Sequence, residues 1–172
     1  MATLIHLFKY KKHSYLDDFF CGLMVSHLHT LGIDLSHYCM ITSVPMHPSK
    51  YKARGYNQAH LLGKKLANYF KIPFRDDIIY GIKNKPSQVS LQGKEREMNV
   101  KDAFMVKDTL EGKKIVLVDD IFTTGATLQQ CSSLLRKNGA SQIFAITVSK
   151  TLADADQTQT RSSCLSKSAK EK

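Results

Sequence analysis

The sequence predicts an α/β fold: a Rossmann-like, mostly parallel sheet with helices on both faces. Three observations predict it. Short apolar segments alternate with segments of helical periodicity along most of the chain. The main apolar segments run without polar alternation, which is typical of strands buried on both faces of a parallel sheet. The chain has 172 residues, 42% of them hydrophobic, which is enough for one domain with its own core.

The first predicted element is an amphipathic helix over residues 15–31, where apolar residues recur at intervals of three and four. These residues are Leu16, Phe19, Phe20, Leu23, Leu28 and Leu31. Gly32 follows the last of them and is the residue type that most often ends a helix. We therefore expect an amphipathic helix that buries this apolar face.

A strand and a second helix come next. Residues 39–44 form an apolar run that stops at Pro45, which cannot donate a backbone hydrogen bond to a sheet. The chain is then predicted to leave the sheet in a constrained loop as far as about Gly55. Apolar residues return at helical spacing from about Asn57, and Pro73 marks the end of that helix.

Residues 83–101 are polar and charged, and Pro86 and Gly93 interrupt them. They follow a predicted strand over residues 78–82. Loops of this length in compact domains are usually functional lids or disordered segments. A β-hairpin with a charged tip is the alternative prediction for the same residues.

The last predicted elements form a β-α-β unit. A strand over residues 115–118 is followed by a helix from about Leu128, and Gly139 suits the C-terminal turn of that helix. Residues 143–148 are then a further buried strand. Ligands bind beyond the carboxyl ends of strands in such a sheet, so this edge is where functional residues are expected.

The most informative segment lies at that edge, within residues 114–128. Asp119 and Asp120 follow the predicted strand directly. The loop after them contains Thr123, Thr124, Gly125, Ala126 and Thr127. A loop of small side chains at the start of a helix offers backbone N–H groups to a phosphate monoester, and the preceding carboxylates can accept hydrogen bonds from vicinal hydroxyls. A ribose 5-phosphate carries both groups at that separation.

The loop after Pro45 is cationic. Lys50, Lys52 and Arg54 precede Gly55 and the second helix. Cations at a strand end can hold pyrophosphate, although a plain surface loop would have the same local sequence. The sequence contains no G-x-x-x-x-G-K-[ST] and no G-x-G-x-x-G, so a P-loop nucleoside triphosphatase or a dinucleotide enzyme is poorly supported.

The formal net charge of +10 belongs almost entirely to the predicted domain, residues 1–151, because the segment after it holds four basic and three acidic residues. Such a surface attracts polyanions, either a pyrophosphate-bearing substrate or a nucleic acid. Charge alone does not choose between them. Residues 152–172 are rich in Ser, Thr, Lys and Gln without apolar periodicity, so we expect a disordered tail.

The four cysteines form no C-x-x-C, which argues against a zinc ribbon or a disulfide framework. No run of 18 apolar residues exists, and charged residues interrupt the N-terminus before a signal-peptide core could form. We therefore expect no membrane insertion and a cytoplasmic location.

The segment at 114–128 resembles the phosphoribosyl pyrophosphate (PRPP) signature of type I phosphoribosyltransferases, in which an apolar strand, an acidic pair and a T-T/S-G-x-T loop follow in this order. The wider sequence resembles the competence protein F (ComF) family of that superfamily. Its hallmarks are V-P-x-H-P, found from Val44, and R-G-Y/F-N-Q, found from Arg54. The pattern continues through Gln88, Leu91, Arg96, Asn99, Val100 and Phe104. The resemblance covers about residues 4–150.

The resemblance implies a type I phosphoribosyltransferase-like fold that binds PRPP with Mg²⁺. Asp119 and Asp120 would bind the ring hydroxyls and stabilise a ribosyl cation-like state. The loop from Thr123 to Thr127 would hold the 5-phosphate. Lys50, Arg54 and Gly55 would lie on the pyrophosphate side, where Mg²⁺ neutralises charge. Gln88 and Arg96 would belong to a flexible loop that closes over PRPP and excludes water.

Three functions stay open at this point. The chain could be an active phosphoribosyltransferase of nucleobase salvage, although no residue pattern identifies a base pocket or a general base. It could be a DNA-uptake factor that binds single-stranded DNA, with Tyr51 and Tyr56 as stacking candidates, and contacts other competence proteins. It could also be a transcriptional regulator on the same fold. The sequence begins after the place of the four-cysteine zinc module common in the family, so that module's role is not transferred, and no pattern specifies an oligomeric state.

Overall fold

The computed structural model describes residues 4, 7, 8, 16–81 and 104–150. Helices and strands alternate through most of these residues, as the sequence predicts. The elements in chain order are α1 (Leu16–Thr30), β1 (Met40–Ser43), α2 (Pro48–Arg54), α3 (Gln58–Phe70), β2 (Ile79–Gly81), β3 (Phe104–Val106), β4 (Lys114–Phe122), α4 (Ala126–Lys137) and β5 (Gln142–Lys150).

A three-stranded parallel sheet in the order β1-β4-β5 is the centre of the fold. β4 lies in the middle, with Met40 of β1 opposite Ile115 and Gln142 of β5 opposite Lys114. β2 and β3 form a separate antiparallel pair on either side of residues 82–103 in the chain. The predicted α/β class with a mostly parallel sheet is confirmed.

Helices cover both faces of the sheet. Val116 and Val118 of β4 belong to the core formed with α1 and α3. Ile115 and Leu117 belong to the core under α4. All four side chains are fully buried, and successive residues of a strand point to opposite faces. Burial on both sides therefore explains why this segment is apolar without alternation.

The predicted position of α1 is confirmed within one residue at each end, but its predicted buried face is partly wrong. Phe19, Leu23 and Leu31 are 48%, 39% and 56% exposed. The buried side chains are Phe20, Cys21, Met24, Val25 and Leu28, which also have helical spacing. This segment is apolar around more than one face, so periodicity alone did not select the side that packs.

The predicted loop between Pro45 and Gly55 contains a short helix, α2. Pro48 occupies its first turn, where a missing N–H costs nothing, and the side chain of His47 caps it. Gly55 ends it in the left-handed region at φ 84°. The proline and the glycine therefore mark the two ends of a helix as well as breaks in the chain.

Several predictions lie outside the described residues. They include the long loop at 83–101 with Gln88 and Arg96, and the disordered tail at 152–172. Within residues 16–81 and 104–150, no helix has the length and apolar composition that a bilayer-spanning segment requires.

Candidate functional site

A cleft of about 220 Å³ opens where β4 extends beyond β1. The last backbone bond between the two segments runs from the Val44 N–H to the Val118 carbonyl, 2.9 Å. The next groups have other partners, because the Val44 carbonyl accepts from Asn57 and the Asp120 N–H donates to the Asp119 side chain. β4 runs on to Phe122. The residues around the cleft are Val44, Pro45, Met46, His47, Lys50, Arg54, Asn57, Asp119, Asp120, Ile121, Thr123 and Thr127.

The two acids lie inside β4 and not after it, because the strand continues four residues past its predicted end. Each carboxylate accepts a hydrogen bond from the next backbone N–H. The Asp120 N–H donates to Asp119 Oδ1, and the Ile121 N–H donates to Asp120 Oδ1, both at 2.8 Å. A carboxylate has about four acceptor positions, so one such bond orients each acid and uses only part of its acceptor capacity.

The loop after β4 depends on Gly125. This residue has φ 76°, and a Cβ placed on it would lie 2.6 Å from the Phe122 ring. Only glycine therefore fits both the backbone angle and the contact. α4 begins at the next residue, and its Ala126 N–H lies 3.4 Å from Thr124 Oγ1. The loop thus ends at the positively polarised start of a twelve-residue helix.

This loop encloses a pit of about 20 Å³ bordered by Asp119, Thr123, Gly125 and Thr127, among others. A space of that size holds about one small group. Thr124 and Gly125 also border a separate groove of about 580 Å³ between α4 and β5, which Phe122 and Lys150 line. The five predicted loop residues are therefore divided: Thr123 and Thr127 line the cleft, Thr124 lines the groove, Gly125 borders both the groove and the pit, and Ala126 begins α4.

The opposite wall of the cleft is cationic. α2 brings Lys50 and Arg54 to it, while Gly55 closes α2 by donating its N–H to the Tyr51 carbonyl at 2.7 Å. His47 also lines the wall. Its Nδ1 lies 2.7 Å from Ser49 Oγ and accepts from the Ser49 N–H at 3.3 Å. An Nδ1 that accepts from the Ser49 N–H carries no proton, so the neutral ring has its proton on Nε2, which is then a hydrogen-bond donor.

The start of α3 is tied to distant parts of the chain. Asn57 caps the helix by accepting from the Ala59 N–H at 3.1 Å and donates to the Val44 carbonyl at 3.0 Å. The Tyr56 hydroxyl donates to the Phe8 carbonyl at 2.5 Å. Burial is the main cause that raises the pKa of Tyr56. These bonds fix α3, and with it α2, against the end of β1.

Comparisons with known proteins identify the family of this chain. The model of the phosphoribosyl transferase domain family matches residues 57–168, more than half of the chain. Competence protein F of Haemophilus influenzae is 32% identical over 83% of this chain and 65% of its own length. DNA utilization protein YhgH of Escherichia coli O157:H7 is 30% identical over 88% of this chain and 68% of its own length. The chain belongs to the ComF family of the phosphoribosyltransferase superfamily. It spans about two thirds of the length of these relatives.

Solved structures show the same fold in this ComF-family chain. The structure of an adenine phosphoribosyltransferase aligns with a TM-score of 0.53 and 16% sequence identity. The alignment covers 83% of this chain and 74% of the other. Hypoxanthine phosphoribosyltransferase from Staphylococcus aureus covers 83% with 70% of its own chain and a TM-score of 0.50, at 13% identity. These identities establish the fold and nothing finer.

Most of the site residues predicted from the sequence line or adjoin the cleft, and so do residues of the ComF hallmark patterns. Six of the predicted site residues line the cleft: Lys50, Arg54, Asp119, Asp120, Thr123 and Thr127. Gly55 and Ala126 adjoin it as the end of α2 and the start of α4. Sequence reasoning missed Pro45, His47 and Asn57 as cleft residues. The V-P-x-H-P and R-G-Y/F-N-Q patterns contained that signal, because they include all three.

One buried thiol lies close to the acidic pair of this ComF-family site. Cys131 of α4 is fully buried. Its burial, and secondarily the negative charge of Asp119, raise the pKa of the Cys131 thiol to about 12. The thiol is therefore neutral and unreactive at physiological pH, which makes it a packing residue beneath Asp119.

Proposed function

We propose that this chain binds PRPP together with Mg²⁺ in the cleft at the carboxyl edge of the sheet. The observation that carries the proposal is the meeting of three chemistries at one edge of the sheet: two oriented carboxylates and a cationic wall line the 220 Å³ cleft, and the pit at the start of α4 adjoins it through Asp119, Thr123 and Thr127. These match the ribose hydroxyls, the 5-phosphate and the pyrophosphate of PRPP. A ligand that lacks one of these groups would leave the corresponding side chains of the cleft without a ligand contact.

The ribose half supplies a large part of the expected affinity. A hydrogen bond to a charged group contributes about 1.5–3 kcal/mol. Three backbone donors from the loop at 123–127 would therefore be comparable with the roughly 8 kcal/mol of a micromolar complex, before ordering costs. Asp119 and Asp120 would hold the vicinal hydroxyls and, in a transferase, stabilise positive charge that develops on the ribose.

The residues present fit Mg²⁺ bound mainly by the substrate. Mg²⁺ in phosphate-binding sites keeps several waters and takes one or two protein carboxylates besides the phosphate oxygens. Within the described ranges no group of three or more His, Cys, Asp or Glu side chains is placed to hold a metal ion. Asp119 and Asp120 could provide the one or two carboxylates. Bound Mg²⁺ would neutralise pyrophosphate, with Lys50 and Arg54 holding the remaining charge.

Calorimetry with PRPP and Mg²⁺, and separately with ribose 5-phosphate, tests the proposal. Asp119→Asn and Asp120→Asn keep the size and the acceptor for the next N–H but remove the charge. We expect each to weaken PRPP binding about 10- to 100-fold, since each removes a charge-assisted bond. Asp34→Asn is the matched control, because Asp34 accepts hydrogen bonds from Ser36 in a turn outside the cleft. Wild-type protein that binds neither ligand at millimolar concentration would overturn the proposal.

A second function, single-stranded DNA binding, is favoured by one observation. The exposed face of α2 carries Lys52 beside Tyr51, whose side chain is 53% exposed, and neither lines the cleft. A cation next to an exposed aromatic ring is a stacking site for bases. Tyr56 is not available in this way, because it packs on Phe8 and donates to its carbonyl. This would link the chain to the competence and DNA utilization for which its relatives are named.

The two functions separate by salt and by mutation. DNA affinity should fall steeply between 50 and 200 mM salt, because phosphate contacts release counterions. Tyr51→Ala and Lys52→Ala should weaken DNA binding and leave PRPP binding unchanged. Absence of DNA binding at low salt would remove this second function. Release of pyrophosphate from PRPP in the presence of a nucleobase would identify an active transferase of nucleobase salvage.

A further inference from the structure

Gln58 is a fully buried polar side chain next to the cleft, and both ends of its amide are used. Within residues 16–81 and 104–150, the only other buried polar residues are Thr42 and Ser43. Gln58 Nε2 donates to the Phe8 carbonyl at 3.2 Å, and Gln58 Oε1 accepts from Arg54 Nη1 at 3.2 Å. Burying an amide is unfavourable unless it is hydrogen-bonded, so these two bonds explain why Gln58 is tolerated in a buried position.

The Phe8 carbonyl is a fixed point. The Phe8 side chain is 1% exposed, and its ring lies 5.3 Å from the ring of Phe20 in α1. The same carbonyl accepts a second hydrogen bond from the Tyr56 hydroxyl. An acceptor held by core packing and by two donors has little freedom to move. It therefore provides a rigid reference for the Gln58 amide.

The amide can be oriented in only one way. The Phe8 carbonyl requires a donor, and the Arg54 guanidinium requires an acceptor. A flipped amide would set oxygen against oxygen and NH₂ against a cation. Gln58 therefore transmits the position of Phe8 to Arg54, although Arg54 belongs to α2 and Gln58 begins α3.

We infer that Gln58 is a positioning residue that sets the orientation of Arg54 on the pyrophosphate side of the cleft, with the Phe8 carbonyl as its anchor. The inference rests on the proposed PRPP site. An arginine held in its binding orientation loses less side-chain entropy when the ligand arrives. The effect should therefore concern ligands that carry pyrophosphate and spare ligands that end at the ribose.

Gln58→Met tests this, because it keeps the length of the side chain and removes both hydrogen bonds. We expect PRPP affinity to fall about tenfold while ribose 5-phosphate affinity is unchanged. Lys65→Met is the matched control: it makes the same kind of substitution on α3, where it removes bonds to Asp18 and Asp17 and touches no residue that lines the cleft. It should leave the ratio of the two affinities unchanged. In an Arg54→Gln background, Gln58→Met should have no further effect on that ratio.

A second measurement needs no ligand. NMR relaxation of arginine Nε–Hε groups reports the order of each side chain, and the exposed Arg136 provides a mobile reference. Arg54 should be more ordered than Arg136 in the wild type and should lose order in Gln58→Met. An Arg54 that is already as mobile as Arg136, or a Gln58→Met variant with an unchanged affinity ratio, would overturn the inference. Wild-type protein with an ordered Arg54 but no PRPP binding would overturn the proposed function alone.

Discussion

The two walls of the cleft are built in different ways. The acidic wall and the threonine/glycine loop after it come from one uninterrupted segment, from Asp119 to Thr127, whose carboxylates accept hydrogen bonds from the next backbone N–H. The cationic wall is assembled over distance: Asn57 bonds 13 positions back to Val44, and Gln58 bonds 50 positions back to Phe8. The first wall is therefore local in sequence, whereas the second depends on the whole fold and on the entropy of closing long loops.

This comparison predicts different responses to damage. A change inside residues 119–127 should affect ribose and phosphate binding directly. A change at the start of α3 should act through the position of α2 and should affect PRPP more than ribose 5-phosphate. The following variants test that difference from the largest expected effect to the smallest.

Gly125→Ala should have the largest effect, because alanine at φ 76° is strained and its Cβ would lie 2.6 Å from the Phe122 ring. We expect a loss of about 2–3 kcal/mol in unfolding free energy and at least a tenfold loss of both PRPP and ribose 5-phosphate binding. Urea denaturation and calorimetry measure the two quantities.

Gly112→Ala is the matched control for that variant. Gly112 has φ 67°, and an added Cβ would meet no atom within 4 Å. Gly112→Ala should lose only the unfolding free energy that the left-handed backbone angle costs an alanine, about 1–2 kcal/mol. Its binding of PRPP and ribose 5-phosphate should be unchanged. Equal losses in the two variants would show that the Phe122 contact does not shape the loop.

Cys131 should make the unfolding free energy of the protein fall at high pH. The folded pKa of this thiol is about 12 against an ordinary value of 9.0, so its stabilising contribution is fully present below pH 9.0 and is lost as the pH rises toward 12. By pH 10.5 the unfolding free energy should have fallen by about 2 kcal/mol on this account. Cys131→Ala should flatten the pH dependence in that window.

The control for the pH experiment is Cys39→Ala, since Cys39 is an exposed free thiol. It should leave the alkaline slope unchanged. Asp119→Asn should lower the pKa of Cys131, because the Asp119 charge is its second cause. A slope in Cys131→Ala that equals the wild-type slope would contradict the assignment of this thiol.

Variants of Asn57 should have the smallest effect, and they distinguish the cationic wall from the acidic wall. Asn57→Ala removes the helix cap and the bond to the Val44 carbonyl, and should cost about 1–2 kcal/mol of unfolding free energy. Asn57→Asp keeps the cap acceptor but has no donor for Val44, so we expect about half that loss. Both variants should weaken PRPP binding more than ribose 5-phosphate binding. Equal weakening of the two ligands would contradict the comparison between the walls.

The sequence predicted what local patterns determine. The fold class, the edge of the sheet and the segment with Asp119 and Asp120 were accessible because apolar runs and an unbroken loop encode them. The face of α1 was not, because two sets of apolar residues on it have helical spacing. The α2 helix was missed because Pro48 and Gly55 fit a loop as well as the ends of a helix.

The cationic wall shows why the remaining features of the cleft could not be predicted from the sequence. Lys50 and Arg54 were predicted from charge and resemblance. The task of Gln58 depends on the carbonyl of Phe8, which no periodicity connects to it across 50 positions. His47 is similar: its role as a donor follows from the contact of Nδ1 with Ser49, a detail of side-chain geometry.

The overhang of β4 also governs how this site could be altered. β1 ends at Ser43, opposite Val118, whereas β4 runs four residues further, to Phe122. Lengthening β1 by two residues would cover about 7 Å of that overhang, and an even number preserves which side chains face inward. The size of the cleft could therefore be changed from β1 alone, while Asp119, Asp120 and Gly125 stay as they are.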